Sequence, residues 1–340
     1  MRKFLNIVNR VKSSDKIFFE EQFMYGHREI LLSYSKQHNN LLTHSSILKG
    51  SIDHAWAFNE NLWKLRNRNL TRADRYVWHK RQKILLSSLA DVVPVGAPWL
   101  YMLNQIGINP KNVEKKLPKE KNKVLIFPSH NLDGDIKLDL TTSMNSFKSR
   151  ITPNSKVTVC LFWLDFIDPM VRHFYAKENW EIVCAGYCPR GKTADSIHGG
   201  RQNFLLELFK IMSDVDIFLT DDLSTGALYA MSLGARIQYF ESENTLNWED
   251  TSLWREKKSN PLPGFFRTPR EWFRSHFPEV FETDTRPTQF IEFSWNTLGY
   301  EAFLDNVDGK KFKWVESSEV NKQSLNLYSQ SLQQISLKHH

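Results

Sequence analysis

The second half of the chain alternates between short, continuously apolar segments and longer amphipathic segments. The apolar segments, which we predict as strands, lie at 123–135 (ending in a polar turn), 156–165, 180–186, 216–222 and 235–240. The amphipathic segments, which we predict as helices, lie at 168–179, 201–215 and 224–234. Continuous apolar strands separated by helices indicate βαβ units and a parallel sheet that is buried on both faces. We therefore expect a Rossmann-like domain in this half.

The first half has a less regular pattern of the same kind. Residues 17–36 have helical spacing, and the apolar segment 41–48 is predicted as a strand that leads into small polar residues. A buried strand at 91–95, a turn at 96–98 and a helix at 99–106 follow. Between the halves, residues 110–123 are polar, rich in lysine and contain two prolines, which is typical of a linker.

This pattern predicts the α/β class, with two Rossmann-like domains facing across a cleft. The predicted boundaries are an N-terminal Rossmann-like domain at 1–110, a linker at 111–122, a C-terminal Rossmann-like domain at 123–285 and a helical tail at 286–338. A length of 340 residues is too great for one ordinary core and fits two such domains.

Charge and cysteine content narrow the function classes. The chain has 45 Lys and Arg against 38 Asp and Glu, a net charge of +7, which favours a polyanionic partner. Its three cysteines predict neither a disulfide framework nor a zinc site. No secretory signal and no apolar stretch of about 18 residues is present, so we expect a cytoplasmic protein, peripheral at the inner face of the cytoplasmic membrane.

The strongest candidate for ligand binding is the segment 216–240. Asp222 closes a predicted strand, and Ser224 and Thr225 open the helix that follows. Free backbone N–H groups and a partial positive charge make a helix N-terminus a good site for phosphate, and the two hydroxyls add donors. The alternative is ordinary helix capping, for which Asp, Ser and Thr are all favoured.

This segment resembles the donor-binding helix of GT-B glycosyltransferases, particularly those of bacterial capsule and lipopolysaccharide biosynthesis. In many of them a strand ends in Asp or Asn, Ser-Ser or Ser-Thr opens a helix, and EAxxLGxPV follows; here the matching run is YAMSLGARI (229–237). The resemblance covers 120–240 and, loosely, 41–108. It implies a metal-independent transfer from a nucleotide-sugar to a glycan or lipid-linked acceptor, with no cofactor required. Tyr229 or Ala230 replaces the acidic residue that grips the donor ribose, which favours a CMP-linked acidic sugar.

Histidines and carboxylates supply the candidates for catalysis, because an acceptor hydroxyl must lose its proton to a nearby base. His44, which the pattern places after a strand, is the first choice of base, with Asp53 second and His130 facing them from the second domain. Ser129 and Asp133 are predicted to bind the donor. Asp133-Gly134-Asp135 leaves room for a divalent ion, although no metal is expected. A structural turn or a structural histidine is the alternative for each.

Three further charged residues are predicted to contact the donor. Arg190 and Lys192 follow a strand end and could balance a pyrophosphate or a carboxylate, and Glu241 closes the last strand. For the first two, a solvated loop is the alternative.

Two stretches in which basic and aromatic residues alternate, at 63–83 and 254–277, fit an anionic membrane surface. They also fit stacking on nucleic acid, or simply a solvated helix face over core aromatics.

Two other functions compete with the glycosyltransferase. A glycerophosphotransferase with a CDP-linked glycerol donor would use the same hydroxyls and histidines. A basic nucleic-acid-binding protein would use the charge, but no nucleic-acid-binding module is recognisable, so no nucleic acid is expected as a partner. The absence of G-x-x-x-x-G-K-[ST] and G-x-G-x-x-G disfavours a kinase or NTPase.

Overall fold

A computed structural model describes nine parts of the chain: residues 24–53, 56, 75–86, 92–115, 122–129, 140–186, 204–240, 269–282 and 287–316. The strands are β1 (Ser46–Leu48), β2 (Ser51–Ile52), β3 (Arg75–Val77), β4 (Val92–Pro94), β5 (Lys123–Phe127), β6 (Lys156–Cys160), β7 (Glu181–Val183), β8 (Ile217–Thr220), β9 (Arg236–Tyr239) and β10 (Trp314–Glu316).

The helices alternate with these strands. They are α1 (His27–Lys36), α2 (Lys80–Leu86), α3 (Pro98–Gln105), α4 (Pro110–Lys115), α5 (Leu140–Lys148), α6 (Trp163–Ile167), α7 (Pro169–Ala176), α8 (Phe204–Met212), α9 (Thr225–Ser232), α10 (Pro269–His276), α11 (Pro287–Thr297) and α12 (Tyr300–Leu304). Among the described helices, none is long and apolar enough to cross a bilayer.

A five-stranded sheet forms the centre of the second half. Its order is β7-β6-β5-β8-β9, and every neighbouring pair is parallel. Strands buried on both faces need apolar side chains at successive positions, which is why Val124, Leu125 and Ile126 are all buried in β5. The predicted α/β class and the predicted parallel sheet are confirmed.

One predicted strand is too long. The segment 156–165 was expected to be a single strand, but β6 ends at Cys160 and helix α6 begins at Trp163. A second helix, α7, follows at once: Asp168 Oδ1 accepts the backbone N–H of Met170 at 2.8 Å, and Pro169 occupies its first turn. The capping Asp and the proline fix the bend between the two helices.

The first half contains a smaller parallel sheet, β2-β3-β4, and a two-stranded antiparallel ribbon, β1-β10. The predicted strands near 41–48 and 91–95 and the helix near 99–106 are present as β1, β4 and α3. The predicted helical tail is also partly a strand, because β10 pairs with β1 and brings the end of the described chain back to its beginning.

A continuous hydrophobic cluster includes residues of both parallel sheets. At its centre, the Trp99 ring of α3 stacks on the Tyr229 ring of α9 at 4.3 Å between centroids, and Trp99 Nε1 donates to Ser232 Oγ at 2.8 Å. Trp295 Nε1 of α11 donates to the Ser232 carbonyl at 2.9 Å. Helix α9 is thereby held by both the N-terminal and the C-terminal parts of the chain.

The first part of the segment predicted as a linker, 111–122, is helical. Helix α4 occupies Pro110–Lys115, and Val113 is buried in the shared cluster. Burial of one apolar residue on a short helix is enough to pack this part of the segment, although its lysines and prolines suggested an extended connection.

Candidate functional site

The strand order identifies where a ligand would bind on the five-stranded sheet. The chain builds β5, β6 and β7 outwards in one direction, then crosses back to place β8 and β9 on the other side of β5. In open parallel sheets the connections diverge at such a switch point and leave a crevice at the carboxyl ends of the strands. Here the crevice lies after β5 and β8, and we call it the switch-point edge.

Asp221 organises this edge. It is buried, its Oδ1 accepts the Ser129 N–H at 2.7 Å, and its Oδ2 accepts the hydroxyls of Ser129 at 3.1 Å and Ser143 at 3.4 Å. These bonds fasten the loop after β5 and helix α5 to the end of β8. Ser129, which the sequence predicts to bind the nucleotide-sugar, therefore lies at this edge. Its N–H group and its hydroxyl both donate to the Asp221 carboxylate.

Asp222 is the second carboxylate of the edge, and its environment differs. Burial, followed by the negative charge of Asp221, raises the pKa of Asp222 to about 7. No hydrogen bond or ion pair with another described residue engages its carboxyl group. Its backbone is fixed, because Thr220 Oγ1 accepts the Asp222 N–H at 3.0 Å and donates to the Asp222 carbonyl at 2.9 Å. Near neutral pH this carboxyl is partly protonated, so it can donate a hydrogen bond as well as accept one.

Helix α9 begins three residues after Asp222. Ser224 occupies its N-cap in an extended conformation, and its side chain makes no capping hydrogen bond. Gly226 lets the first turn approach β5, since a Cβ there would lie 3.0 Å from the Phe127 ring. The Ala227 N–H donates to the Ser224 carbonyl at 3.1 Å, whereas the Thr225 and Gly226 N–H groups come before the first intrahelical acceptor. The Ser224 hydroxyl is not used by the cap. This arrangement can accept a phosphate.

Thr225 connects this edge to the first half of the chain. Its Oγ1 accepts the backbone N–H of Trp56 at 2.9 Å, and the Trp56 ring packs against Trp272 of α10 at 4.6 Å between centroids. Trp56 follows β2 by four residues, so the end of the smaller sheet reaches the N-terminus of α9. This contact could not be predicted from local sequence, because it joins residues 169 positions apart.

Asp53, the second choice of base, is engaged elsewhere. It is buried at the end of β2, where Oδ1 accepts from Arg75 Nη2 and Oδ2 from Gln82 Nε2, each at 2.9 Å. Its carbonyl accepts the Trp78 Nε1–H at 2.9 Å. The described contacts therefore assign Asp53 a positioning role in the loop that leads to Trp56.

His44, the first choice of base, is exposed and lies before a strand. The expectation that it follows a strand is wrong, because β1 begins at Ser46 and belongs to the antiparallel ribbon. Arg28 holds this turn through bonds from its guanidinium to the carbonyls of His44 and Ser46. The role of His44 as a base stays a prediction.

The remaining predicted site residues, His130, Asp133, Arg190, Lys192 and Glu241, lie outside the described residues. Within the described parts of the chain, no group of three or more His, Cys, Asp and Glu side chains could hold a metal ion.

Tyr229 and Ala230, the two positions that the sequence comparison matches to a ribose-binding acidic residue, face the core. Tyr229 is buried and stacked on Trp99, and Ala230 is fully buried. Burial raises the pKa of the Tyr229 hydroxyl, so it stays neutral. Neither residue can bind a ligand at the switch-point edge as described, which means that a donor would need other contacts for its nucleoside.

Sequence reasoning missed Asp165 and Tyr175, which adjoin this edge from α6 and α7. Burial, and then the charge of Asp168, raises the pKa of Asp165 to about 6. Burial raises the pKa of Tyr175 as well, and the negative charges of Asp221 and Asp165 add to that effect. The apolar run 156–165 predicts a strand through Asp165, so the sequence does not reveal that this residue lies in a helix beyond the sheet.

No protein-family model and no curated protein matches this chain. Among solved structures, it is similar to the wall teichoic acid polymerase TagF, with a TM-score of 0.34 and 14% identity over 76% of this chain and 59% of that one. It is also similar to the UDP-GlcNAc 2-epimerase from Neisseria meningitidis bound to UDP-GlcNAc, with a TM-score of 0.27 and 16% identity over 68% of this chain and 60% of that one. The chain spans about three fifths of each, and similarity at this level assigns it to no family.

Proposed function

We propose that this protein is a transferase that uses a nucleotide-activated donor and binds the donor phosphate at the N-terminus of α9. The observation that carries the proposal is the switch-point edge itself. There, an uncommitted Ser224 hydroxyl, the N–H groups of Thr225 and Gly226 at the start of α9 and a partly protonated Asp222 lie together. A helix N-terminus at the carboxyl edge of a parallel sheet is suited to an anion of this kind.

The proposed reaction is a metal-independent glycosyl transfer of the GT-B type, from a CMP-linked acidic sugar to a surface glycan or lipid-linked acceptor. The acceptor hydroxyl loses its proton to a base, its oxygen bonds to the sugar carbon, and the bond from that carbon to the phosphate oxygen breaks. The electron pair leaves on the phosphate, where the N–H groups of α9 stabilise the added charge. His44 and His130 remain the proposed bases.

A thermal-shift panel of CMP, CDP, UDP and GDP at constant ionic strength tests this proposal. A ligand at 100 times its Kd stabilises the folded state by about 2.7 kcal/mol, which gives a rise in Tm of a few degrees. We expect CMP to give the largest rise. Preference for CDP would favour a glycerophosphotransferase, which would place its donor phosphate at the same helix. No response to any nucleotide, together with salt-dependent DNA binding, would contradict the transferase.

Histidine variants test the assignment of the base. His44→Ala or His130→Ala is expected to lower turnover strongly while leaving the Tm near that of the wild type. The control is His38→Ala, which changes another exposed histidine in the N-terminal part of the chain and should retain wild-type turnover. Wild-type rates in both test variants would remove the assignment.

A further inference from the structure

The hydroxyl of Thr225, the first residue of α9, can still donate a hydrogen bond. Its Oγ1 accepts the Trp56 N–H at 2.9 Å, and the hydroxyl makes no other hydrogen bond within the described parts of the chain. A threonine hydroxyl has two lone pairs and one hydrogen. The Trp56 N–H occupies a lone pair, so the hydrogen remains for a further acceptor. Accepting one hydrogen bond also strengthens a hydroxyl as a donor.

This hydroxyl lies at the start of the helix that we propose as the phosphate site. Thr225 is half-buried and follows Ser224, whose side chain makes no capping bond. A threonine inside a helix often donates to the carbonyl three or four residues before it. For Thr225 these carbonyls belong to Asp222 and Asp221, and no bond to either is present among the described contacts. The Asp222 carbonyl instead accepts from Thr220 Oγ1 at 2.9 Å and from the Ser224 N–H at 3.0 Å.

The Trp56 N–H is held in position from two sides. Three residues before it, the buried Asp53 carboxylate pairs with Arg75 at 2.9 Å. The Trp56 ring packs edge-to-face against Trp272 and Phe273 of α10, with 4.6 and 5.3 Å between centroids. Because both sides are anchored, this N–H loses little conformational freedom when it bonds to the hydroxyl. The loop after β2 therefore presents a preorganised donor to α9.

The two halves of the chain thus contribute to one group of hydrogen-bond donors. The hydroxyls of Ser224 and Thr225 come from the second half, and the first half fixes the direction of the Thr225 hydroxyl. Ionised phosphate oxygens only accept hydrogen bonds, and bonds to a charged acceptor are about twice as strong as neutral ones. A hydroxyl that is oriented before the phosphate arrives avoids the cost of ordering it on binding.

We propose that Trp56 is a positioning residue of the donor site, which orients the Thr225 hydroxyl to donate to the donor phosphate. The site is then complete only while the loop after β2 is seated on α9. This inference rests on the proposed function, because it assigns a role within the same site.

Titration calorimetry with CMP on a double-mutant cycle tests the proposal. Thr225→Val removes the hydroxyl and keeps the shape of the side chain, and we expect CMP to bind about tenfold more weakly. Trp56→Ala removes the ring that anchors the loop, and we expect a loss of about fivefold. Because Trp56 acts through Thr225, the double variant should bind about as weakly as Thr225→Val alone. Independent effects would instead multiply to about fiftyfold.

Conservative variants and a matched control accompany the cycle. Thr225→Ser keeps the hydroxyl and Trp56→Phe keeps an aromatic anchor, so each should recover most of the affinity for CMP. The control is Thr297→Val, which changes another half-buried threonine, whose hydroxyl donates to the Phe293 carbonyl at 2.8 Å. Thr297 follows Trp295, which contacts the C-terminal end of α9, so this variant should bind CMP like the wild type.

Hydrogen exchange at the Trp56 amide provides a test that needs no change of Trp56. Because the seated loop is required for phosphate binding, CMP should slow exchange of this amide in the wild type. Thr225→Val offers the amide no acceptor, so its exchange should be faster and should respond less to CMP at equal saturation. Mass spectrometry of peptides that contain Trp56 measures both.

The outcomes separate this inference from the proposed function. Losses that multiply in the double variant, or CMP binding that leaves exchange at Trp56 unchanged, would overturn the positioning role and leave the donor site intact. An equal loss of affinity in Thr297→Val would also overturn it. No binding of CMP to the wild type would overturn the proposed function and this inference with it.

Discussion

Each of the two parallel sheets places an aspartate within two residues of a strand end, and the two aspartates have different environments. Asp53, after β2, is buried and bonded to Arg75 and Gln82. Asp222, after β8, has no such partner among the described residues, and burial beside Asp221 raises its pKa to about 7. Arg75 offsets the cost of burying Asp53, whereas no cation among the described residues pairs with Asp222. Aspartates near strand ends thus give a buried ion pair at one edge and an acid with a raised pKa at the other.

The edges also differ in what covers them. At the smaller sheet, the turn at Gly299 packs on the end of β3, so closely that an added Cβ would lie 1.8 Å from the Trp78 carbonyl oxygen. A Cβ added at Gly96, after β4, would lie 2.8 Å from Phe303 Cβ of α12. The ends of β3 and β4 are therefore occupied by the chain's own C-terminal helices. Among the described residues of the smaller sheet's loops, Trp56 after β2 reaches the N-terminus of α9.

The largest effect is expected from breaking the ion pair of the smaller sheet. Arg75→Ala leaves the Asp53 carboxylate buried without its cation, and we expect the free energy of unfolding to fall by about 3–5 kcal/mol. The matched control is Lys148→Ala, which removes a half-exposed pair with Glu178 at 2.7 Å and should cost about 0–1 kcal/mol. Denaturant unfolding measures the free energy of unfolding of both variants. Equal losses would show that the Arg75–Asp53 ion pair does not stabilise this edge of the smaller sheet.

Opening the covered edge is expected to have the next largest effect. Gly299 has a φ of +83°, and Gly299→Ala also drives the Cβ into the Trp78 carbonyl, so we expect a loss of about 3 kcal/mol. Gly107→Ala is the control: its φ is +76°, but nothing lies within 4 Å of the added Cβ. That variant should lose only about 1 kcal/mol. Equal unfolding midpoints for the two would contradict the close packing.

Replacing the perturbed acid is expected to stabilise the protein. The pKa of Asp222 is higher in the folded state than in the unfolded state, so its contribution to stability is greatest below about pH 4 and is lost as the pH rises to 7. Asp222→Asn should therefore raise the free energy of unfolding by roughly 2 kcal/mol above pH 7, with a gain that shrinks towards pH 4.

Asp53→Asn sharpens this comparison, because it should have the opposite sign: Arg75 loses its charged partner, and stability falls. Thermal unfolding from pH 4 to pH 8 measures both variants. A pH-independent effect of Asp222→Asn, or a gain from Asp53→Asn, would remove the proposed difference between the edges.

The sequence predicted the larger sheet well for a physical reason. Its strands are buried on both faces, so each is a continuous apolar segment that is visible without tertiary information. The smaller sheet and the ribbon depend on distant partners: Ser46 pairs with Glu316, and β2 pairs with β3 across a long separation in sequence. The end of β6 was misjudged because Leu161, Phe162 and Trp163 continue the apolar run into a helix.

The roles of adjacent or similar acids could not be predicted from local sequence. Asp221 and Asp222 are neighbours, and the bonds from Ser129 and Ser143, 92 and 78 residues away, determine which of them is the structural one. Asp53 was a candidate base because the pattern does not reveal that Arg75 approaches it. Ser224 and Thr225 were both predicted to bind the donor, yet Thr225 Oγ1 also accepts from Trp56, which leaves Ser224 as the cleaner test.

The central claim is that the N-terminus of α9 binds the donor phosphate, and titration calorimetry with CMP on Ser224→Ala tests it most directly. The Ser224 side chain makes no capping bond, so its removal should leave the Tm almost unchanged. Ser213→Ala, at the opposite edge of the sheet before β8, is the control. We predict that CMP binds Ser224→Ala about tenfold more weakly than the wild type, with Ser213→Ala unaffected. Wild-type affinity for CMP in Ser224→Ala, or an equal loss in Ser213→Ala, would contradict the claim.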